Sequence, residues 1–242
     1  MLTLALAAAV SVLTWSSAGS YVGAGPALAA DDYSARRESM VREQILARGV
    51  SDPNVLAALR AVPRHRFVPP SLAPQAYSDH PLPIGNGQTI SQPYIVALMS
   101  ELLGLRNEHT VLEIGTGCGY QAAVLSGLAG EVYSMEIVEE LGVQARERLR
   151  TLGYGNVEVR IGNGYAGWPE QAPFDRIILT AAPEELPRAL IDQLKPEGKL
   201  VAPVGPIYGN QELIVVTKDA RGMIHRESVL PVRFVPMVQA PE

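Results

Sequence analysis

The chain has 242 residues, of which 47% are hydrophobic and 19% are charged, and its formal net charge is −5. This length and composition are typical of one folded α/β domain and exclude a wholly disordered protein. The acidic balance argues against a nucleic-acid partner, and the single cysteine excludes a disulfide framework. The four histidines are scattered without ligand spacing, so we expect no metal site.

Residues 1–30 differ in composition from the rest of the chain. An apolar run up to Trp15 precedes alanine-rich sequence ending in Ala27-Leu28-Ala29, which is typical of a secretory signal and its cleavage site. The run is shorter than the ~20 residues of a membrane span. We therefore expect a signal-like or disordered segment over residues 1–30, a single folded domain over residues 31–242, and export to the periplasm. A cytoplasmic protein is the alternative.

Three helices are predicted before the main sheet. Apolar residues recur at helical spacing over residues 34–47, and Gly49 follows as a stop. Two further helices are predicted over residues 53–62 and 93–103, each with proline at its first position. Residues 63–92 between them are rich in proline and glycine, and a loop of this length in a compact domain is usually functional or disordered.

From residue 110 the hydrophobic pattern alternates between strands and helices. This alternation predicts a Rossmann-like, doubly wound, mostly parallel sheet with helices on both faces, after an N-terminal helical extension. The last two strands follow each other without a helix, which predicts an antiparallel C-terminal hairpin. The predicted strands are 110–114, 131–135, 157–161, 175–180, 199–204, 212–218 and about 229–235, and the predicted helices are 120–129, 138–152 and 184–194.

A glycine-rich loop follows the first of these strands. Residues 111–119 read Val-Leu-Glu-Ile-Gly-Thr-Gly-Cys-Gly, and a helix begins at once after them. Glycines at alternate positions allow a sharp turn and a close approach of ligand to backbone. Glu136, at the end of the next strand, lies about 20 residues after Gly115, the offset at which an acidic side chain binds a ribose. These features predict a nucleoside pocket at the carboxyl edge of the sheet.

The glycine spacing bears on which nucleoside binds. A dinucleotide fingerprint has a third glycine at the position that Tyr120 occupies here. This departure disfavours a nicotinamide oxidoreductase and favours S-adenosylmethionine, which has a ribose but no phosphate. Asn163 lies between two glycines after the strand at 157–161, where its side-chain oxygen can accept a hydrogen bond from adenine. A simple Asn-Gly turn is the alternative interpretation.

A second polar block precedes the third helix. Gln88, Thr89, Ser91 and Gln92 lie in a glycine-hinged loop just before Pro93. Ser91 or Gln92 can cap the helix, and the free N–H groups of a helix start also attract carboxylates, so both roles stay open. The chain has no Gly-x-Ser-x-Gly elbow that would indicate a serine nucleophile.

From Met40 to Val238 the sequence closely resembles the protein-L-isoaspartate O-methyltransferase family. The glycine loop is shared widely among enzymes that use S-adenosylmethionine, whereas the block at residues 83–93 is specific to this family. The blocks that carry the resemblance are Met40–Ile45, Val62–Pro69, Pro83–Pro93, Val111–Gln121, Thr180–Pro183 and Val232–Pro236.

The resemblance implies methyl transfer from S-adenosylmethionine to the free α-carboxylate of L-isoaspartyl residues in damaged proteins and peptides, which initiates repair. We also expect residues 31–242 to form one methyltransferase domain, and we expect the protein to be a monomer. Ser91 is then the active-site serine, which orients the carboxylate. The substrate loop comprises Gln88, Thr89 and Ile90. The implied cofactor contacts are Glu113, Gly115, Thr116, Gly117, Glu136 and Asn163.

Two alternatives share the same cofactor residues. The first is a methyltransferase of another acceptor, and the second is a non-catalytic protein that binds damaged peptides. Intact glycines and Glu136 argue against the second.

Overall fold

The computed structural model of the chain describes residues 30–239. The predicted export segment, apart from Ala30, lies outside these residues. From Asp31 onward the described chain forms one compact unit. None of the described helices has both the length and the apolar character needed to cross a membrane.

The N-terminal extension is helical, as predicted. Helix α1 (Ala30–Ser39) continues into a π-helical turn (Met40–Ile45) and a 3-10 turn (Leu46–Arg48), and the run ends at Gly49, whose φ of 96° favours glycine. Helix α2 (Pro53–Ala61) starts with proline and is capped by the side chain of the preceding aspartate.

The proline-rich stretch after α2 contains a β-hairpin that the sequence did not predict. Strands β1 (Leu82–Gly85) and β2 (Gln88–Ile90) pair antiparallel, and the tip residues Gly85, Asn86 and Gly87 all have positive φ. Helix α3 (Pro93–Leu103) follows with the predicted bounds. The hairpin therefore presents the predicted substrate loop on an ordered element.

A seven-stranded sheet forms the centre of the protein, and the predicted fold class is confirmed. Its strand order is β5-β4-β3-β6-β7-β8-β9, parallel from β5 to β7, with β8 antiparallel to both neighbours. Helices α4 (Tyr120–Ser126), α5 (Glu139–Thr151) and α6 (Arg188–Asp192) connect the parallel strands. The strands are β3 (Thr110–Ile114), β4 (Glu131–Glu136), β5 (Val157–Ile161), β6 (Phe174–Leu179), β7 (Leu194–Val204), β8 (Gln211–Lys218) and β9 (Ile224–Val232).

The central strands are buried on both faces. Val111 and Ile178 belong to the apolar cluster that includes α2, α3 and α4, whereas Leu112 and Ile177 belong to the cluster that includes α6. Successive side chains of a strand point to opposite faces, which explains why adjacent residues enter different clusters. Continuous apolar runs of this kind are typical of parallel strands covered on both sides. This burial holds the loops at the carboxyl edge in place.

The last strand differs from its prediction. A strand was predicted over about 229–235 from its apolar residues, whereas β9 ends at Val232. After β9 the chain pairs with the loop that follows β6: Ala182 N donates to Val235 O at 2.9 Å, and Met237 N donates to Ala182 O at 2.8 Å. A non-local contact at the carboxyl edge of the sheet therefore buries Met237 and half-buries Phe234 and Val235.

Candidate functional site

The loop between β3 and α4 has a backbone that only glycine adopts readily. Gly115, Gly117 and Gly119 have φ values of 102°, 53° and 88°. Gly115 N donates to Met135 O at 2.8 Å, which ties the loop to the end of β4. A Cβ added to Gly115 would lie under 3.0 Å from Thr180 Oγ1. Both the conformation and the space at this position therefore require glycine.

Glu136 binds the glycine loop through its carboxylate. The side chain is buried at the end of β4, and its Oε2 accepts a hydrogen bond from Gly117 N at 2.7 Å. Its Oε1 accepts from Ile137 N and Val138 N, both at 3.0 Å. A carboxylate oxygen has two lone pairs, so Oε2 can still accept one hydrogen bond, for example from a ribose hydroxyl.

A cavity lies at the carboxyl edge of the sheet, and the space between its walls, including the part open to solvent, is about 890 Å³. Small-molecule sites are usually concave clefts at this edge of an open α/β sheet. Of the residues predicted from the sequence, the structure brings two groups together in its wall. They are Gly115, Thr116, Gly117 and Glu136 from the cofactor set, and the substrate loop Gln88, Thr89 and Ile90 with the adjacent Ser91.

Two predicted cofactor residues lie outside this wall. Glu113 is fully buried behind it, where its Oε2 accepts a short hydrogen bond from the Ser134 hydroxyl, which is itself 2.6 Å from Thr116 Oγ1. Asn163 is exposed, and its Oδ1 accepts from Tyr165 N at 3.0 Å, which caps a short 3-10 turn. A direct contact of either side chain with the cofactor stays a prediction.

The burial of Glu113 gives the protein a specific pH dependence. Burial raises the pKa of this carboxyl from 4.5 to about 8; the nearby Glu136 charge adds to the rise, and the Ser134 hydrogen bond opposes it. The folded protein thus holds a proton that the unfolded chain releases, so this contribution to stability is complete below pH ~4.5 and is lost as the pH rises through about 8.

We expect the free energy of unfolding to fall across this window by about 1.4 kcal/mol per pH unit from Glu113 alone. Urea denaturation at several pH values measures this slope. Glu113→Gln should flatten it, whereas the exposed Glu158→Gln on β5 should leave it unchanged. Equal slopes in the parent and in Glu113→Gln would contradict the assignment.

The Ser91 hydroxyl is available to a ligand. Gln92 is the N-cap residue of α3, and its side chain makes no capping hydrogen bond. Ser91 is half-buried in the cavity wall, and its side chain forms no hydrogen bond within the described part of the chain. The helix-capping interpretation therefore finds no support in the geometry.

Sequence reasoning assigned no site role to two segments that line the cavity. Thr180 and Ala181 follow β6, and residues 235–238 reach the wall through the pairing with Ala182. Both segments overlap blocks in which the sequence resembles the family, and this resemblance is the signal that could have identified them as part of the site. The pairing that brings them together joins residues about 50 positions apart, which no local pattern reveals.

Comparison with known proteins agrees with the geometry. The family described as Protein-L-isoaspartate(D-aspartate) O-methyltransferase (PCMT) matches residues 35–242. A protein-L-isoaspartate O-methyltransferase of Nitrosospira multiformis is 54% identical over 219 residues, which cover 90% of this chain and 93% of that protein. One from Opitutus terrae is 56% identical over 203 residues, covering 84% and 87%.

Solved structures support the same assignment. A structure titled protein-L-isoaspartate O-methyltransferase aligns with a TM-score of 0.74 at 31% identity, over 83% of this chain and 65% of that chain. A structure from Plasmodium falciparum, named as a protein-L-isoaspartate O-methyltransferase and solved in complex with S-adenosyl-L-homocysteine, aligns with a TM-score of 0.73 at 25% identity, over 84% of this chain and 99% of that chain. With its glycine loop, its β4 carboxylate and these matches, the chain belongs to the protein-L-isoaspartate(D-aspartate) O-methyltransferase family.

Proposed function

We propose that this protein transfers the methyl group of S-adenosylmethionine to the free α-carboxylate of L-isoaspartyl residues in damaged proteins and peptides, and so initiates their repair. The observation that carries the proposal is the cavity itself. The glycine loop with Glu136 forms one part of its wall, and the family-specific segment Gln88–Ser91 forms another. A donor on the first and an acceptor on the second would meet inside one cavity.

The wall fits S-adenosylmethionine better than a dinucleotide. Glu136 Oε2 retains acceptor capacity for a ribose hydroxyl, and Gly115 and Gly117 in the wall carry no Cβ to hold a ligand away. The described wall residues include no lysine or arginine, the side chains that most often bind a pyrophosphate. A positively charged sulfonium needs no such partner.

The chemistry required of the protein is mainly positioning. When bound, S-adenosylmethionine supplies an electrophilic methyl group on a good leaving group. The acceptor carboxylate has a pKa near ~3.5–4 and is ionised at neutral pH, so no general base is needed. Correct alignment can supply as much as ~7–11 kcal/mol of the barrier. We assign this alignment to Ser91, whose hydroxyl donates a hydrogen bond to the carboxylate.

We further propose that residues 31–242 act as one catalytic domain and as a monomer. The compactness of the described chain from Asp31 onward supports the first part. We also propose that the protein is exported, on the composition of residues 1–30. Sequencing the N-terminus of the mature protein from fractionated cells tests export, and light scattering tests the monomer.

Transfer of a labelled methyl group tests the proposed activity. Matched peptides that differ only in an isoaspartyl or aspartyl linkage should differ in labelling by about 100-fold or more, because only the isoaspartyl linkage has a free α-carboxylate. Equal labelling of the two peptides would indicate a methyltransferase of another acceptor. Binding of the isoaspartyl peptide without labelling would indicate a non-catalytic binding protein.

Ser91→Ala should lower turnover about tenfold and leave the Kd for S-adenosyl-L-homocysteine nearly unchanged. The hydroxyl orients the acceptor and contributes no group to the cofactor. Steady-state kinetics with the isoaspartyl peptide and calorimetric titration measure the two quantities. The control is Ser228→Ala on β9, whose hydroxyl bonds Glu212 on the neighbouring strand. An unaltered rate in Ser91→Ala would remove Ser91 from the active site.

A further inference from the structure

Arg64 is a completely buried cation beside the candidate site. It begins a 3-10 turn after α2, and 0% of its surface is exposed. Its Nε donates to Ala76 O at 2.7 Å, and its Nη2 donates to Ser91 O at 2.7 Å. Its Nη1 has no hydrogen-bond partner among the residues that the structure describes. One guanidinium thus joins two separate segments, and one of them is Ser91, which directly follows the substrate loop.

The burial of a cation without a carboxylate partner costs free energy. Among the described residues no carboxylate forms an ion pair with Arg64. Burial lowers the pKa of its guanidinium, and only phenol and thiol groups, chiefly those of Tyr120 and Cys118, oppose this effect. Arginine nevertheless stays protonated in proteins. Replacing buried charges by apolar side chains of similar volume is often neutral or stabilising. Packing alone therefore gives no reason for a cation at this position.

Arg64 lies one layer behind the cavity wall. The centre of its guanidinium is 4.8 Å from the centroid of the Tyr120 ring, and both Tyr120 and Ser91 line the cavity. The Arg64 side chain itself does not line the cavity. Its charge acts on the cavity through the Ser91 peptide and the aromatic ring, in surroundings where electrostatic interactions are screened less than in water. The described wall has no cation of its own, so Arg64 supplies positive charge for an anionic acceptor.

We propose that Arg64 is a positioning residue for methyl transfer, which fixes the backbone of Ser91 from behind the wall and stabilises the negative charge of the bound acceptor. This inference rests on the proposed function. A planar guanidinium holds two carbonyl groups in a fixed relative orientation, which the single ammonium of lysine does not reproduce. The geometry and the charge of Arg64 can therefore be tested separately.

Two variants of Arg64 and one control make this test. Arg64→Lys keeps the positive charge but loses the planar guanidinium that bonds two carbonyl groups, whereas Arg64→Met loses both the charge and the guanidinium. We expect kcat/KM for an isoaspartyl peptide to fall about tenfold in Arg64→Lys and about thirtyfold in Arg64→Met. The Kd for S-adenosyl-L-homocysteine should stay within about threefold in both, because the hydrogen bonds of Arg64 go to Ala76 and Ser91 and none goes to the glycine loop or Glu136. The exposed Arg66→Met, two residues along, should match the parent.

A double-mutant cycle separates positioning from general damage to the fold. If Arg64 acts by placing the Ser91 hydroxyl, Arg64→Lys should cost less than about threefold in a Ser91→Ala background. A full tenfold loss in that background, or an equal loss of affinity for S-adenosyl-L-homocysteine, would overturn the proposal. The proposal would also be overturned if Arg64→Lys kept its kcat/KM within threefold of the parent. If Arg64→Met does not fold, the Arg64→Lys variant and its double-mutant cycle with Ser91→Ala test the proposal.

The outcomes also distinguish this inference from the proposed function. A parent protein that methylates no isoaspartyl peptide contradicts the proposed function. An active parent whose Arg64 variants keep its kinetics contradicts only the role of Arg64.

Discussion

Gly115→Ala is expected to weaken binding of S-adenosyl-L-homocysteine by about 100-fold or more, which corresponds to about 2.7 kcal/mol. A non-glycine residue at φ 102° is strained. The new methyl group would also meet Thr180 Oγ1 at under 3.0 Å. That hydroxyl is not free to move away, because it donates hydrogen bonds to the carbonyl oxygens of Ile114 and Gly115. The glycine loop must therefore shift, and its shift moves Gly117 away from Glu136.

Gly153→Ala is the matched control for this variant. Gly153 has a φ of 85°, and an added Cβ would have nothing within 4 Å. It follows α5, far along the chain from the glycine loop, and does not line the cavity. We expect the Gly153→Ala variant to lose about 1 kcal/mol of stability from backbone strain alone. It should bind S-adenosyl-L-homocysteine like the parent. Calorimetric titration of both variants checks this difference. Gly115→Ala with a parent-like Kd would contradict the assigned cofactor loop.

Glu136→Gln is expected to raise the Kd for S-adenosyl-L-homocysteine by about 30-fold to 100-fold. The carboxylate accepts three backbone hydrogen bonds, from Gly117, Ile137 and Val138. An amide has only one acceptor oxygen, so its NH₂ group must face at least one of these N–H donors. Hydrogen bonds to a charged group contribute about 1.5–3 kcal/mol each, and the proposed bond to the ribose would be lost in addition.

Glu139→Gln provides the control for this second variant. Glu139 is the exposed first residue of α5, three positions from Glu136, and it is not part of the cavity wall. The Glu139→Gln variant should bind S-adenosyl-L-homocysteine like the parent in the same calorimetric titration. Turnover of Glu136→Gln should recover in part at high concentrations of S-adenosylmethionine, because the defect is mainly in binding. Parent-like affinity of Glu136→Gln would show that this carboxylate does not contact the cofactor.

The main sheet could be predicted because its signals are local. Strand β3 is a short, mostly apolar run and β5 alternates apolar and charged residues, and the predicted bounds of both match the structure. Glu136 was found because the parallel topology places the end of β4 beside the glycine loop. Pattern and topology together therefore predicted where the cavity lies.

The hairpin β1–β2 escaped prediction for a physical reason. Its strands are only four and three residues long, Pro83 lies within the first, and its tip has the composition of an irregular loop. Tertiary contacts hold it: Asn86 donates to Glu140 at 3.4 Å, and a Cβ on Gly117 would lie 3.3 Å from the Ile84 side chain. The hairpin thus lies over the glycine loop, and this contact is invisible to local periodicity.

The burial of Arg64 is equally hidden from the sequence. An arginine in a proline-rich stretch with several charged neighbours is typical of a solvated surface. Only the fold shows that Arg64 is fully buried, with Ala76, Ser91 and the Tyr120 ring beside its guanidinium. Long-range packing determines the burial of Arg64, whereas local sequence patterns determine the strands of the sheet.

A crystal structure of the protein with S-adenosyl-L-homocysteine and an isoaspartyl peptide tests the central claim most directly. The account predicts the ribose within hydrogen-bond distance of Glu136 and the free α-carboxylate within hydrogen-bond distance of the Ser91 hydroxyl. It also predicts that this carboxylate faces the sulfur across a gap that a methyl group fills. A nucleoside bound away from the glycine loop, or a carboxylate bound out of reach of Ser91, would contradict it.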